Sequence, residues 1–195
     1  MTDSAPLTGE ALALDLINTR PESGHGRVDL LATPQQLSDW LILERGRLHG
    51  EVQDIAPTLA DLVPVHAVRA HAEAAIRALL DQTEPPVGAL RGLTEAQRAA
   101  PPVRELHWDG AAVTAVLRRS GPFGTRLAAL LAEAAAELLS DPAIERLKEC
   151  EANGCIMMFL PSHPRRRWCS PTRCGNRTRV ARHYRRHNPA EPPRT

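Results

Sequence analysis

Aromatic residues are scarce in this sequence: its 195 residues include three Trp, two Phe and one Tyr. Alanine and the aliphatic residues are plentiful instead. Alanine and leucine favour helices, whereas aromatic residues favour strands. The length suits one ordinary domain with a small appendage. We therefore expect a mainly helical chain.

Long apolar runs are also absent. The best candidate, "LAALLAEAAAELL" at residues 127–139, is broken by Glu133 and Glu137 and falls short of the ~18 uncharged residues of a membrane span. The first 20 residues carry Asp3 and Glu10 and lack the basic start and long apolar run of a cleavable signal. These absences predict a cytoplasmic protein with no membrane partner.

Motifs of common catalytic sites are missing as well. The sequence has no Gly-x-Ser-x-Gly elbow, no phosphate-cradling glycine loop and no His-Glu-x-x-His pair. We therefore expect that the protein is not an enzyme.

Cysteine is absent from the first 149 residues, and all four cysteines follow in one short stretch with the spacing C-x4-C, thirteen residues, C-x4-C. Thiols stay reduced in the cytoplasm, where clustered cysteines indicate metal ligands before disulfides. Two close pairs can deliver four thiolates to one tetrahedral zinc ion and leave no open position, which favours a structural site. The predicted ligands of this structural Zn²⁺ are Cys150, Cys155, Cys169 and Cys174.

Two other arrangements of the cysteines are weaker. Two disulfides would need an oxidising compartment. A metal site built from the second cysteine pair with His183 and His187 would have eight residues between Cys174 and His183, against ~12 in the usual two-Cys, two-His finger. That arrangement would also leave the first cysteine pair unused.

Apolar residues nearly disappear after Leu160, because the rest of the chain has no Leu, Ile, Met or Phe. Only Trp168, Val180 and Tyr184 could form a core there. Three side chains cannot offset the ordering of about 30 residues at ~1–2 kcal/mol of backbone entropy each. Structural zinc supplies on the order of 10 kcal/mol, so the segment is expected to depend on a metal.

Two motifs in the cysteine stretch, "RRRWCS" and "CGNR", resemble the CGNR zinc finger. That finger ends a family of bacterial proteins, described as stress-induced transcription regulators, whose helical N-terminal part is the ABATE domain. The stretches "LALDLINTR" and "DLLATPQQLSDWL" are similar to the first two elements of that domain. The resemblance implies zinc on the four cysteines and DNA binding by the finger.

The expected fold class is mainly α with a small β-hairpin (α+β) in the body, followed by a treble-clef-like, four-Cys zinc finger. We expect a helical ABATE-like domain at residues 1–142, a CGNR-type finger with a basic C-terminal helix at 143–188, and a disordered tail at 189–195. The hairpin is predicted at Asp109-Gly110, since that dipeptide tolerates the positive φ of a tight two-residue turn.

Apolar spacing and capping residues predict the helices. Thr33 and Pro34 begin one of them as N-cap and first residue, and Trp40 and Trp108 are expected in the core. The other helical segments are predicted within residues 7–20, at 62–80, at about 88–99, at 125–139 and from Asp141 up to Cys150.

The net charge of +1 hides a strong asymmetry. From residue 161 onward there are ten arginines and one acid, or +9, which leaves 14 basic and 22 acidic groups, or −8, in residues 1–160. On a helix that begins after Gly175 with Asn176 as N-cap, Val180 and Tyr184 lie on one side, able to pack on Trp168. Four arginines occupy one arc on the other side, namely Arg179, Arg182, Arg185 and Arg186. The predicted nucleic-acid-binding residues are Arg165, Arg166, Arg167, Arg177, Arg179, Arg182, Arg185 and Arg186.

DNA is the expected partner, and the expected function is that of a zinc-containing transcriptional regulator. The alternative is an interaction or scaffold protein whose zinc module docks the basic helix on its own acidic body, or on a protein or RNA partner. The pairing of Arg179, Arg182 and Arg186 with acids of residues 1–160 distinguishes the two hypotheses.

Asn18, Thr19 and Arg20 end the first predicted helix. They are interpreted either as a C-terminal cap followed by a loop, or as the lining of a pocket for a small-molecule effector. In the second interpretation, the loop around Gly24-His25-Gly26 closes the pocket. The ABATE resemblance supports a body that senses a ligand or mediates assembly.

Overall fold

The computed structural model describes residues 8–23, 26–48 and 56–187 of the chain. The predicted tail at 189–195 and the loop residues Gly24 and His25 lie outside this description. The helices in the described ranges are α1 (Leu12–Ile17), α2 (Pro34–Glu44), α3 (Leu59–Leu80), α4 (Val87–Ala99), α5 (Phe123–Ser140) and α6 (Asn176–His187). None of them is long and apolar enough to serve as a transmembrane span.

The strands form three separate antiparallel ribbons of two strands each within the described ranges. They are β1 (Glu22–Ser23) with β2 (Gly26–Arg27), β3 (Val103–Trp108) with β4 (Val113–Arg118), and β5 (Lys148–Glu149) with β6 (Met158–Phe159). This architecture confirms the predicted fold class of a mainly helical body with small strand pairs.

The core of the body lies where α3, α4 and α5 pack together with the short helix α1. Apolar residues recur every three or four positions in α3, so that Leu62, Val65, Val68, Ala72 and Ile76 face this core. Helix α1 is buried almost throughout. The position of α1 matters for the site, because its C-terminal end reaches the cysteine-containing segment.

Capping side chains fix where the helices begin. Thr33 and Gln36 form a capping box at α2, with Pro34 as the first helical residue, as the sequence predicts. Thr58 and Asp61 form a second capping box at α3. The Asp61 carboxylate also accepts a 2.7 Å hydrogen bond from the backbone N–H of Gly124, which joins the starts of α3 and α5. A Cβ atom at position 124 would lie 2.5 Å from the Cα of Asp61, so this close approach requires glycine.

Two local predictions differ from the structure. The helix predicted from Asp141 to Cys150 is a 3₁₀ turn at Pro142–Arg146 followed by strand β5, because Leu147 leaves the helical conformation with ψ near 137°. The turn predicted at Asp109-Gly110 is present, but four residues connect β3 to β4. The Asp109 side chain accepts hydrogen bonds from the N–H groups of Ala111 and Ala112, which stabilises this longer turn.

The predicted burial of the tryptophans is half right. Trp40 is fully buried in the core, whereas Trp108 at the end of β3 is 67% exposed. All residues of β3 and β4 are exposed, because the ribbon extends away from the helices. A pattern of apolar residues along one strand cannot show whether another element covers it.

A buried carboxylate holds the start of α1 against the end of α2. Asp15 is fully buried and accepts hydrogen bonds from the N–H groups of Gly9 (2.8 Å) and Glu10 (3.2 Å). Arg47 binds both Asp15 and the buried Glu44. Burial raises the pKa of Asp15 to about 6, although the hydrogen bond from Arg47 opposes this shift.

Replacing Asp15 with Asn is expected to change how stability depends on pH. An unfolded Asp has a pKa near ~3.9, so the folded state binds the Asp15 proton more tightly and loses this favourable contribution as the pH rises through about 6. Asn does not titrate. The free energy of unfolding of Asp15→Asn should therefore rise relative to wild type by up to ~3 kcal/mol between pH 4 and pH 7.

Urea denaturation followed by circular dichroism at several pH values measures this difference. Asp39→Asn, which removes an exposed carboxylate of α2, is the matched control. If the difference between Asp15→Asn and wild type changes with pH no more than the difference for Asp39→Asn does, the assignment is contradicted.

Candidate zinc centre and basic helix

The four cysteine sulfurs lie close together. All four thiols are free, and their Sγ atoms lie within 4.8 Å of one another. The Sγ–Sγ distances are 3.8 Å for Cys155–Cys169, 3.5 Å for Cys169–Cys174 and 3.7 Å for Cys174–Cys155. A tetrahedral zinc ion with Zn–S bonds of about 2.3 Å needs sulfurs about 3.8 Å apart, so the cluster has the dimensions of a four-Cys zinc site.

The first cysteine pair lies in a turn between β5 and β6. Cys150 follows β5 directly, and its N–H donates to the Met157 carbonyl at 2.9 Å. The Cys155 N–H donates to the Ala152 carbonyl, and Gly154 takes the positive φ of 67° that this turn requires. The ribbon thus holds two thiols on one tight loop.

The second pair lies at the start of α6. Ser170 accepts a hydrogen bond from the Arg173 N–H and begins a single π-helical turn, Pro171–Gly175, which continues directly into α6. Cys169 precedes this turn and Cys174 lies within it. The Cys169 N–H donates to the Cys150 sulfur at 3.3 Å, so the backbone joins the two pairs.

This arrangement corrects one sequence prediction about the finger. The strands of the finger flank the first cysteine pair. Asn176 was expected to be an N-cap, but it has helical dihedral angles and Ser170 provides the cap. The finger thus consists of one cysteine turn in a ribbon and a second at the start of a helix, as expected for a four-Cys zinc finger.

The electrostatics of the cluster favour one thiolate, at Cys150. The pKa of Cys150 lies well below its usual range, because the thiols of Cys155, Cys169 and Cys174 donate hydrogen bonds to its sulfur, whereas the hydrogen bonds with Cys150 raise the pKa values of Cys169 and Cys174. The guanidinium of Arg177 lies 3.7 Å from the Cys174 sulfur and adds a positive charge. Deprotonated sulfur is the form that binds zinc.

The two histidines of the alternative metal site lie away from the sulfurs. His183 and His187 stack on each other along the exposed side of α6, with ring centroids 4.0 Å apart. His187 is hydrogen-bonded to the His183 carbonyl. Among the described residues, the metal-ligating group that the structure brings together contains the four cysteines and no histidine.

The body and the cysteine segment are joined by a reciprocal pair of buried hydrogen bonds. The Asn18 amide donates to the Met158 carbonyl at 2.8 Å and accepts from the Met158 N–H at 3.0 Å. Asn18 therefore pairs with β6 as a neighbouring strand would. An ion pair between Arg77 and Glu149 at 3.1 Å lies at the same junction.

Glu10 forms a second connection between body and finger. Its carboxylate accepts from the Leu160 N–H at 3.1 Å and pairs with Arg166 at 2.5 Å. The Arg166 guanidinium stacks on Phe159, 4.3 Å from the ring centroid, and donates to the carbonyls of Trp168 and Cys169. Arg166 thus ties the spacer to the body.

Comparison with protein-family models agrees with this geometry. Residues 10–142 match the ABATE model, described as "Putative stress-induced transcription regulator", and residues 146–187 match the CGNR zinc finger. The chain belongs to the ABATE family. No curated protein sequence matches it. The family match and the sulfur cluster together confirm the predicted structural Zn²⁺.

The two matched family models describe a regulator and a zinc finger, and neither model describes an enzyme.

In this ABATE protein, the three residues predicted to line a pocket make internal contacts. Besides Asn18, the Thr19 hydroxyl donates to the Leu16 carbonyl at 2.6 Å and accepts from Arg69. Arg20 lies 3.6 Å from Glu73. Asn18 also follows the last residue of α1 as its C-cap, in agreement with the first interpretation of this segment.

The arginines of the ABATE protein's finger fall into two groups. Arg166 points inward, and Arg167 pairs with Glu151 at 2.5 Å. The other arginines of the predicted nucleic-acid-binding set that have described side chains are exposed, namely Arg165, Arg177, Arg179, Arg182 and Arg186. Arg179 bonds to Asn176 of its own helix. The side chain of Arg185 lies outside the described part of the structure.

The apolar residues of α6 were expected to pack on the finger, and this prediction is wrong. Val180 is 52% exposed and Tyr184 is 63% exposed. Trp168 lies instead over the backbone at Gly175. A Cβ atom added at Gly175 would lie 3.5 Å from the Trp168 ring. The first turn of α6 is held by this contact, and the remaining turns project beyond the sulfur cluster.

Sequence reasoning missed Glu10 and the pairing role of Asn18. A polar residue at the buried end of an amphipathic helix is the only local signal for Asn18, and its partner lies 140 residues away.

Replacing Asn18 with Ala should destabilise the protein by about 2–4 kcal/mol, because the buried N–H and C=O of Met158 would lose their partners. Chemical denaturation of the zinc-loaded protein measures the loss. Asn176→Ala, at an exposed asparagine of α6, is the control and should change stability by about 0.5 kcal/mol or less. Equal losses in the two variants would contradict the bridging role of Asn18.

Replacing Cys174 with Ser should abolish zinc binding and expose the finger to protease, while the helices of the body persist. Native mass spectrometry should detect one zinc ion per wild-type chain and none per variant chain. Thr172→Ser, in the same turn but outside the sulfur cluster, should retain the ion. Full zinc content in Cys174→Ser would refute the assigned ligand set.

Proposed function

We propose that this protein is a cytoplasmic, stress-responsive transcription regulator whose zinc finger binds DNA through α6. Zinc on Cys150, Cys155, Cys169 and Cys174 would fix the start of that helix. The observation that carries the proposal is the lack of acidic partners for the arginines of α6. In the described part of the chain, no carboxylate pairs with Arg177, Arg179, Arg182 or Arg186.

The dimensions of α6 suit the major groove. Its 12 residues extend for about 18 Å, and the groove is about 12 Å wide and admits an α-helix. At 100° per residue, Arg179, Arg182 and Arg186 lie within about 60° of one another around the helix axis. These three side chains would therefore face one strip of phosphates or base edges, where Arg binds guanine with two parallel hydrogen bonds.

The spacer would add contacts beside the helix. Arg165 is exposed, and Arg167 is exposed while paired with Glu151 at the surface. A surface pair of this kind contributes little, so Arg167 can exchange its carboxylate for a phosphate at small cost. Arg166 is left out of the proposed interface, because its guanidinium is committed to Glu10 and to the carbonyls of the spacer.

The alternative hypothesis, in which the basic helix docks on its own body, receives less support. The body does hold the finger through Glu10 and Asn18, but these contacts involve the spacer and β6. The charged side chains of α6 remain directed to solvent within the described structure. RNA presents the same phosphates and is separated from DNA by the binding experiment below.

The helical body would control the finger. Asn18, Thr19 and Arg20, proposed as part of an effector site, lie at the junction that joins α1 to β6. A small molecule bound beside them would act on the hydrogen bonds between Asn18 and Met158. Because these hydrogen bonds join the body to the finger, a bound ligand would change the orientation of the finger.

The salt dependence of DNA binding tests the interface. Six exposed arginines on phosphates would give a log–log slope of about −5 for duplex DNA. The double variant Arg182→Ala/Arg186→Ala should weaken binding and reduce the magnitude of this slope by about 2. The measurement is a fluorescence anisotropy titration at several salt concentrations, with a random-sequence duplex and a matched RNA duplex.

The matched control is Arg91→Ala/Arg98→Ala, which removes the same charge from two exposed arginines of α4. It should leave the slope unchanged. Equal effects of the two double variants would show that net charge, rather than α6, determines binding. A clear preference for the RNA duplex would favour the RNA-binding alternative.

A further inference from the structure

The ribbon formed by β3 and β4 is amphipathic, yet its apolar face lies in solvent. The register pairs Arg104 with Leu117, Leu106 with Ala115, and Trp108 with Val113. Residues directly opposite each other in an antiparallel pair share a face, so these six form one side of the ribbon. Four of them are large apolar residues that are 55–70% exposed: Leu106, Trp108, Val113 and Leu117.

The opposite face of the ribbon carries Val103 and Val116, which are 56% and 42% exposed, but its other four residues are polar and largely paired with one another. Glu105 binds Arg118 at 3.2 Å and lies 3.9 Å from His107. The Thr114 hydroxyl donates to the His107 carbonyl. This face therefore has two apolar and four polar residues, whereas the first face has five apolar residues and one arginine.

The root of the ribbon, which is its end nearest the helices, is anchored to the body. Arg119 is buried, donates to the Ala100 carbonyl at 2.7 Å and pairs with Glu133 of α5. An isolated two-stranded ribbon is marginally stable in water and normally needs a packing partner on its apolar face. In the described structure no residue of the chain covers that face, since all residues of both strands are exposed.

We propose that a second copy of this chain covers the apolar face, and that the two ribbons stack face to face in an antiparallel, two-fold arrangement. The sequence of the face is complementary to itself. With the two-fold axis at the Leu106–Ala115 pair, the Arg104–Leu117 pair of one ribbon lies over the Trp108–Val113 pair of the other, because both pairs are two residues from the axis.

This arrangement gives Arg104 a partner that it lacks in the single chain. No ion pair involves Arg104 among the described residues. In the stacked dimer its guanidinium would lie over the indole of the partner's Trp108, as a cation–π contact. It would also approach the turn at the tip of the partner's ribbon, where the N–H groups of Ala112 and Ala111 lower the pKa of the Asp109 carboxyl.

Further exposed apolar residues lie on the body, at the start of α3. The Asp61–Gly124 hydrogen bond places the first turn of α3 beside the root of the ribbon. Two residues of this turn and the next, Leu59 and Val63, are 71% and 69% exposed. A standard stable interface buries about 800 Å² per partner, which is more than one ribbon face of six-residue strands supplies. The exposed start of α3 provides additional area at the same end of the molecule.

Sedimentation equilibrium of the full-length, zinc-loaded protein without DNA tests the proposal, so that its outcome is independent of the DNA-binding function. The wild type should form a dimer, with no larger species. Trp108→Glu should weaken the dimer at least roughly thirtyfold, as expected for a central aromatic residue of an interface. Because Trp108 is exposed in the single chain, its variant should unfold at the wild-type temperature when both are measured as monomers at high dilution.

Thr114→Glu is the matched control, because it adds the same charge to the opposite, polar face. Its dimer affinity should remain within about twofold of wild type. Arg104→Gln should weaken the dimer by about three- to tenfold through loss of the cation–π contact. A wild-type protein that stays monomeric to millimolar concentration would overturn the proposal, as would a dimer that Trp108→Glu leaves intact or that Thr114→Glu disrupts equally.

Discussion

The finger of this protein depends on four thiols being held at one point. Beyond Leu160 the chain has almost no apolar side chains, and the small cluster around Phe159 consists largely of the cysteines and their neighbours. Coordination by zinc therefore replaces hydrophobic burial as the main source of stability. Zinc coordination also determines where α6 begins. Cys174 lies in the turn that continues into α6, so the metal fixes the start of the basic helix.

The finger is not an independent appendage, because polar contacts bind it to the body. Asn18 satisfies both backbone groups of Met158, and Glu10 holds Arg166 across the junction. The Asp15 carboxylate in turn accepts hydrogen bonds from the N–H groups of Gly9 and Glu10. A continuous set of contacts thus runs from the buried charges of the body to the spacer of the finger.

Local chemistry made much of this structure predictable from the sequence. Apolar spacing located the helices to within a few residues, and Thr33 with Pro34 marked the start of α2. The Asp109-Gly110 dipeptide located the β3–β4 turn. The cysteine spacing identified the metal site, because two short loops are enough to bring four thiols together. In the helices and the turn, the interactions that form the element connect residues close in the sequence. In the metal site, clustered cysteines have few roles other than binding a metal.

Tertiary packing decided what the sequence left open, namely which side chains meet and which remain in solvent. Arg166 belongs to a run of three arginines, but only the position of Glu10 turns it inward. Trp108 is a large apolar residue of the kind expected in a core, yet its ribbon extends beyond the helices that could have covered it. Asn18 finds its partner 140 residues away. Spacing and capping act over a few residues, so the sequence determined the elements and the metal ligands. Burial and pairing depend on which distant elements come together, so the roles of these three residues followed from the tertiary structure alone.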